Sequence, residues 1–407
     1  MSGTAGAQAI GLLILPILAR VFAPEAFGVF QLYLSLLTFC TVAIALRIEL
    51  TLLSKPDSEA HQTVVALFGL VLVVSVVLAA VLQFYALFGS GFAFPAVFLG
   101  LGLVGNGFSQ VTSYKFVRDQ NFSGLATLKV SQVLAYAVAA LAIAAFHPTL
   151  WGLIFADVLG RLAAAAIAVQ TVRRGGTAIG GMRHLRDLPL FVRRHWEMAV
   201  ISLPGALANT GGAMLTPFMI FHMFGADAAG QYGLVDRAIG VPVAMVVTAG
   251  AQVFAGRATA QIRAGNEAEV RRLLLRVVAV GAAICGIGAF AAYSAIPFAF
   301  ELAFGAGWLQ AINIARILVF SYAIALVVGV TNQTLVSLGA FRLQSIWDLG
   351  WPACIGAAWV AVATLRLDLY EAITLHALAI GILWLVFVQL CLFRLGSPTR
   401  FVESGKA

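Results

Sequence analysis

RRGGTAIGGMRHLRDLPLFVRRHWE, residues 173–197, is the one long polar interruption in this chain. It carries Arg173, Arg174, Arg183, Arg186, Arg193 and Arg194, with His184 and His195 among them. In a soluble protein such a run would suit a nucleic-acid arm. Its flanks argue against that reading, because hydrophobic sequence runs up to Gln170 and resumes at Met198. A Lys/Arg-rich loop between two membrane spans is held on the cytoplasmic side by the positive-inside bias. No nucleic-acid partner is expected.

Composition points the same way. Of 407 residues, 61% are hydrophobic and 10% charged, with a mean hydropathy of +0.98. Soluble domains carry about 25% charged residues, so the chain is integral to a lipid bilayer. The net charge of +8 is then a property of loops that meet anionic headgroups. Cys40, Cys285, Cys354 and Cys391 sit inside apolar runs without C-x-x-C spacing. They read as small packing residues rather than disulfides or metal ligands. The Met-Ser-Gly-Thr start has no basic n-region, so no cleavable signal peptide is expected.

A helical span needs roughly 20 mostly apolar residues. Twelve segments qualify: 4–22, 28–53, 61–88, 95–113, 122–146, 150–172, 198–222, 230–256, 273–300, 311–336, 345–365 and 370–392. The connections are short, as in PEAFG, KPDSEA, HPT and GADAAG. With the N-terminus cytoplasmic, 18 of the 25 basic residues fall in cytoplasmic loops or tails, and only Arg20 and Arg366 fall outside. That asymmetry predicts both termini inside.

The halves repeat. ILARVFAPEAFGVF (17–30) is echoed 202 residues later by MIFHMFGADAAGQY (219–232), which matches Phe22 with Phe224, Glu25 with Asp227, and Gly28 with Gly230. LFGSGF (87–92) is echoed by AFGAGW (303–308), and Leu150-Trp151 by Leu369-Tyr370. Six spans per half give both halves the same orientation, a parallel repeat with the substrate path at the repeat interface. The expected fold is therefore an all-α polytopic membrane protein with twelve transmembrane helices in two six-helix lobes. The lobes are 1–172 and 198–407, joined by the basic cytoplasmic linker 173–197.

The opening LARVFAPEAFGVFQLYLSL, followed by IALRIELTLLSKPDSEA, resembles the start of bacterial polysaccharide flippases of the O-antigen type. These belong to the multidrug/oligosaccharidyl-lipid/polysaccharide exporter superfamily, and the resemblance extends over essentially the whole chain. Where such proteins carry several more polar or basic residues before the first helix, apolar sequence here begins within the first few positions. The resemblance implies a MATE-like fold and a non-enzymatic alternating-access carrier in the bacterial inner membrane. Its cargo would be a lipid-linked oligosaccharide of the undecaprenyl diphosphate type, an O-antigen or exopolysaccharide repeat unit. Its partners would be a polysaccharide polymerase and chain-length proteins. The first and second spans would face the seventh and eighth across a cavity.

No phosphate loop and no H-E-x-x-H motif occurs, and no cofactor or metal is expected. Gly100-x-Gly102-x-x-Gly105 matches a dinucleotide fingerprint by letters alone; inside a membrane helix it reads as a packing motif. Charges inside spans are expensive in hydrocarbon and are functional-site candidates by default. They are Arg47, Glu49, Lys129, Asp157, Arg161, Asp236, Arg237 and Arg316, with Asp348 near an inner end. Asp157 and Arg161, four apart, lie on one helix face and read as a structural pair. Arg47 and Glu49, two apart, point about 200° from one another on a helix, and Asp236 and Arg237 about 100°. Each then needs another partner, a cavity or a ligand. Lys129 and Arg316 have two readings, a cavity face or snorkelling to the headgroups. Pro16 and Pro217 fall at nearly matching positions of the halves, as helix kinks for packing or for rocking.

The basic surplus inside the spans suits an anionic cargo. A drug or cation antiporter of the same superfamily would prefer an acidic cavity. A membrane glycan polymerase or ligase would need a sizeable outer loop, and no outer connection exceeds roughly a dozen residues.

Overall fold

The structure is a computed structural model that describes residues 2–88, 94–174 and 188–396. Among these residues the regular structure is helical throughout. Arg183, His184 and Arg186 of the linker, Arg400 and Lys406 of the tail, and part of the 87–92 repeat lie outside the described residues.

The first half consists of α1 (Ser2–Val21), α2 (Pro24–Ala43), a 3-10 segment (Ile48–Ser54), α3 (Asp57–Phe88), α4 (Ala96–Arg118), α5 (Phe122–Phe146) and α6 (Gly152–Arg174). The short α7 (Leu188–Arg194) precedes α8 (Trp196–Val235), a π turn (Asp236–Gly240) and α9 (Val241–Arg263). Then follow α10 (Glu267–Phe304), α11 (Leu309–Gly329), α12 (Thr334–Ser337), α13 (Phe341–Leu365) and α14 (Leu369–Gly396). Helices suit a bilayer because each satisfies its own backbone hydrogen bonds. Local chemistry sets several ends. Pro24 opens α2 with Glu25 in its first turn, and Asn121 accepts from the Gly124 amide to cap α5. Asp368 and Glu371 cap α14 reciprocally, each backbone N–H donating to the other's carboxylate at 2.9 and 2.8 Å.

Nine helical stretches among the described residues are long and apolar enough to cross a membrane. One of them, the 68-residue stretch Trp196–Arg263, contains both the seventh and the eighth expected span. It is divided at Gly225, whose φ of 88° and ψ of 178° are not helical. The first helix offers a shorter apolar stretch, Gly6–Val21, and α4 falls outside the nine. The second expected span, 28–53, is corrected: α2 stops at Ala43, and Leu46 and Arg47 take left-handed backbone before the 3-10 segment.

Contacts divide the chain into two compact units, Met1–Gly233 and Leu234–Ala407. In the first, α6 packs on α4 and α5, α3 on α4, and α1 on α5. In the second, α11 packs on α10, α14 and α9. Large apolar side chains such as Val138, Ile287, Phe290 and Phe298 are exposed, as a lipid-facing surface requires. All four cysteines are free.

Candidate functional site

In the first unit the buried polar groups gather on α2, α4 and α6. Asp157 and Arg161 are in contact: Arg161 Nε donates to Asp157 Oδ2 at 2.6 Å and Nη2 to Oδ1 at 3.1 Å. The Tyr33 hydroxyl donates to the same Oδ2 at 3.0 Å. Arg161 Nη1 donates to Asn106 Oδ1 at 2.6 Å, and Asn106 Nδ2 donates to Thr41 Oγ1 at 2.9 Å. Both carboxylate oxygens are therefore satisfied. Gly105 makes this approach possible, since a Cβ there would sit 2.8 Å from the Arg161 backbone carbon. A Cβ on Gly102 would sit 2.3 Å from the Tyr33 hydroxyl, and one on Gly100 2.9 Å from Ala79. The G-x-G-x-x-G run is thus a close-packing face of α4. Lys129, half-buried on α5, feels the charge of Arg161.

Arg47 and Glu49 sit where α2 gives way. Two consecutive non-glycine residues, Leu46 (φ 52°) and Arg47 (φ 62°), are left-handed, each costing roughly 1–2 kcal/mol. The 200° separation expected for a continuous helix does not apply to this backbone. Arg47 Nε donates to Ser202 Oγ on α8 at 3.4 Å. Glu49 is fully buried; its Oε1 accepts from Gln110 Nε2 at 3.0 Å, and its Oε2 has no hydrogen-bond partner among the described residues. Strain and an orphaned buried carboxylate oxygen both mark positions that fold stability alone does not favour.

The repeated turn closes on itself within the first unit. A Cβ on Gly28 would lie 1.8 Å from the Ala226 carbonyl oxygen, and one on Gly230 1.8 Å from that of Pro24. The matched glycines thus bring the start of α2 and the stretch after Gly225 into backbone contact. The matched acids Glu25 and Asp227 are electrostatic neighbours there. Pro16 and Pro217 lie inside helices, and non-helical backbone falls at Ala23 (φ −65°, ψ 155°) and Gly225, the repeated turn itself.

In the second unit Asp236 and Arg237 occupy the π turn, a local widening of the helix that recurs at functional sites. The 100° separation assumed for an α-helix is altered by that widening. Tyr322 donates its hydroxyl to Asp236 Oδ1 at 3.4 Å. The Arg316 guanidinium lies 4.0 Å from the centre of the Tyr293 ring, a cation–π contact, with its Nε buried and lacking a hydrogen-bond partner among the described residues. Asp348 accepts from Gln344 near the exposed start of α13. Sequence reasoning missed Tyr33, Asn106, Gln110 and Ser202, neutral residues that stand out little in a hydropathy profile. For Asn106 and Gln110 the one trace is the density of Asn, Ser, Gln and Thr along 106–113.

This all-α arrangement is shared with solved membrane-protein structures. The chain is similar to a multidrug resistance MATE family transporter of the MOP superfamily in an inward-facing conformation, with a TM-score of 0.69 and 12% identity over 95% of this chain and 94% of that one. It is also similar to the lipid II flippase MurJ in an inward closed conformation, with a TM-score of 0.66 and 10% identity over 97% of this chain and 87% of that one. No curated protein sequence matches it. Residues 17–313 match the family described as "Polysaccharide biosynthesis protein", and the chain belongs to that family.

Proposed function

We propose that this protein flips an isoprenoid-diphosphate-linked oligosaccharide, an O-antigen or exopolysaccharide repeat unit, from the cytoplasmic to the outer leaflet of a bacterial inner membrane. Twelve spans form lobes 1–172 and 198–407 about the linker 173–197, with both termini cytoplasmic. Family membership supports a role in polysaccharide assembly. The observation that carries the reading is Arg47, a guanidinium held on left-handed backbone, with one hydrogen bond to a neutral hydroxyl of α8 and the Glu49 charge nearby. Arg binds phosphate at two points and stays charged when desolvated. Arg47, Arg237, Lys129 and Arg316 supply cationic stations for diphosphate or acidic sugars, while Asp157 and Arg161 hold the fold. The glycan would leave to a polymerase with chain-length partners.

A cation-coupled antiporter is a second reading, favoured by the unpartnered Glu49 oxygen. Leaflet-resolved extraction of lipid-linked oligosaccharide from a deletion strain separates the readings. Flipping predicts accumulation in the inner leaflet and depletion of the outer. Normal outer-leaflet amounts with blocked surface polymer would place the defect after flipping and overturn the proposal.

A further inference from the structure

A second cationic feature lies apart from the buried charges. Between the 3-10 segment, the first turns of α3 and α7 is a cavity of about 680 Å³ lined by Lys55, Glu59, Thr63, Arg194 and His195, with Leu190 and Phe191 on one wall. Both sides belong to connections that the basic-residue asymmetry puts on the cytoplasmic face. The geometry points to a docking site for the phosphate of a lipid headgroup in the cytoplasmic leaflet.

Three features support it. The first is charge: Arg194 has no ion-pair or hydrogen-bond partner among the described residues, while Lys55 is shared with Glu59 at 2.8 Å. A single acid against two full cations and an imidazole leaves the cavity cationic. The second is preorganisation. Arg118 donates to the Lys55 carbonyl from Nε at 3.0 Å and from Nη2 at 2.8 Å, which pins the loop that presents Lys55. His195 Nδ1 lies 2.9 Å from the Phe191 carbonyl oxygen. A carbonyl only accepts, so Nδ1 carries the proton and Nε2 remains for a ligand. The third is depth. Leu190 and Trp196 are exposed apolar side chains beside exposed Arg194, the composition of a turn lying at headgroup level. Phosphate in the cavity would therefore leave its acyl or isoprenoid chain against apolar side chains.

Two lipids share that chemistry, a bulk anionic phospholipid and the diphosphate cargo. The cavity stands on its own charges; only its use for cargo rests on the flippase reading. The test is native mass spectrometry of the full chain in detergent, titrated separately with phosphatidylglycerol, undecaprenyl diphosphate and zwitterionic phosphatidylcholine. The Arg194→Gln/His195→Gln double variant should weaken retention of phosphatidylglycerol, undecaprenyl diphosphate or both by roughly fivefold or more, on the scale of one removed basic charge. Arg193→Gln removes the same charge one residue away, outside the cavity lining, and should leave retention unchanged. Glu59→Gln should strengthen it by freeing Lys55. Loss confined to undecaprenyl diphosphate assigns the site to cargo entry; loss confined to phosphatidylglycerol assigns it to a bound structural lipid. Unchanged retention in the double variant, or an equal loss with Arg193→Gln, would overturn the site. Because retention is read without transport, it fails or holds independently of export.

Discussion

Two acid–base sets in the first unit are built from the same residue types and differ in almost everything else. Asp157 and Arg161 sit on regular helix, with a two-point contact to each other and with Tyr33 and Asn106 completing their hydrogen bonds. Arg47 and Glu49 sit on left-handed and 3-10 backbone, with one long contact to Ser202 and one carboxylate oxygen unpartnered among the described residues. A satisfied buried network rigidifies a core. Strained, half-satisfied groups persist only when the surrounding structure holds them. Among these buried charges, completeness of hydrogen bonding therefore distinguishes the two sets better than burial does, and the proposed function assigns the incomplete set to the mechanism.

The largest effects test the framework side. Arg161→Met leaves Asp157 buried and unpaired, costing about 3–5 kcal/mol, so membrane abundance should collapse. Replacing Asp157 and Arg161 together with apolar residues should recover much of it, because no lone charge remains. Quantitative blotting of membranes checks both, and an abundant single variant would break the distinction. On the working side, Arg47→Ala should abolish export at near-normal abundance, and Arg47→Lys should restore it only in part. Arg47→Gly should lose export while raising the thermal midpoint, since glycine adopts φ 62° without the roughly 1–2 kcal/mol penalty. Wild-type export with Arg47→Ala would remove this residue from the mechanism.

The repeated turn tests geometry without charge. Gly28→Val would drive side-chain carbon into the Ala226 carbonyl region, where overpacking costs typically about 1–3 kcal/mol. The expected outcome is a lowered thermal midpoint together with reduced export. An unchanged midpoint would mean that the contact is not maintained in the membrane.

Much of the helical layout was legible because twenty apolar residues in a row have few other uses. The expected spans 61–88, 122–146 and 345–365 fall within α3, α5 and α13, all three to the residue at their C-terminal ends and 122–146 at both ends. The glycine contact was also legible, as a repeat match, although not its meaning. The breaks at 44–47 and 236–240 were not. The first carries no proline, and in Ile44-Ala45-Leu46-Arg47 nothing disfavours helix locally; at the second the local signal was Pro242, whose missing N–H leaves the Ala238 carbonyl without its helical donor. The partners of the charges were equally hidden, since Asn106 reaches Arg161 from 55 positions away.

The smallest expected effect comes from a third pair with the same i,i+4 spacing as Asp157 and Arg161, but at the exposed end of α4. Lys115 and Asp119 form an ion pair there, and Arg118 Nη1 adds a contact to Asp119 at 2.7 Å. Partial burial pushes the Asp119 carboxyl up, but the Lys115 and Arg118 hydrogen bonds and charges outweigh it, so its pKa falls below the ordinary range. A carboxylate with a depressed folded-state pKa contributes stability above the unfolded value, about 3.9, and loses it as pH falls through the folded value. Solvent screens this pair, which limits it to roughly 0–1 kcal/mol. Asp119→Asn should therefore lower the thermal midpoint by at most a few degrees at pH 7 and by less near pH 3, where the wild type has begun to lose the same contribution. A midpoint gap that widens on acidification would contradict that sign. A loss at pH 7 as large as that of Arg161→Met would show that spacing, not hydrogen-bonded burial, governs what such pairs contribute.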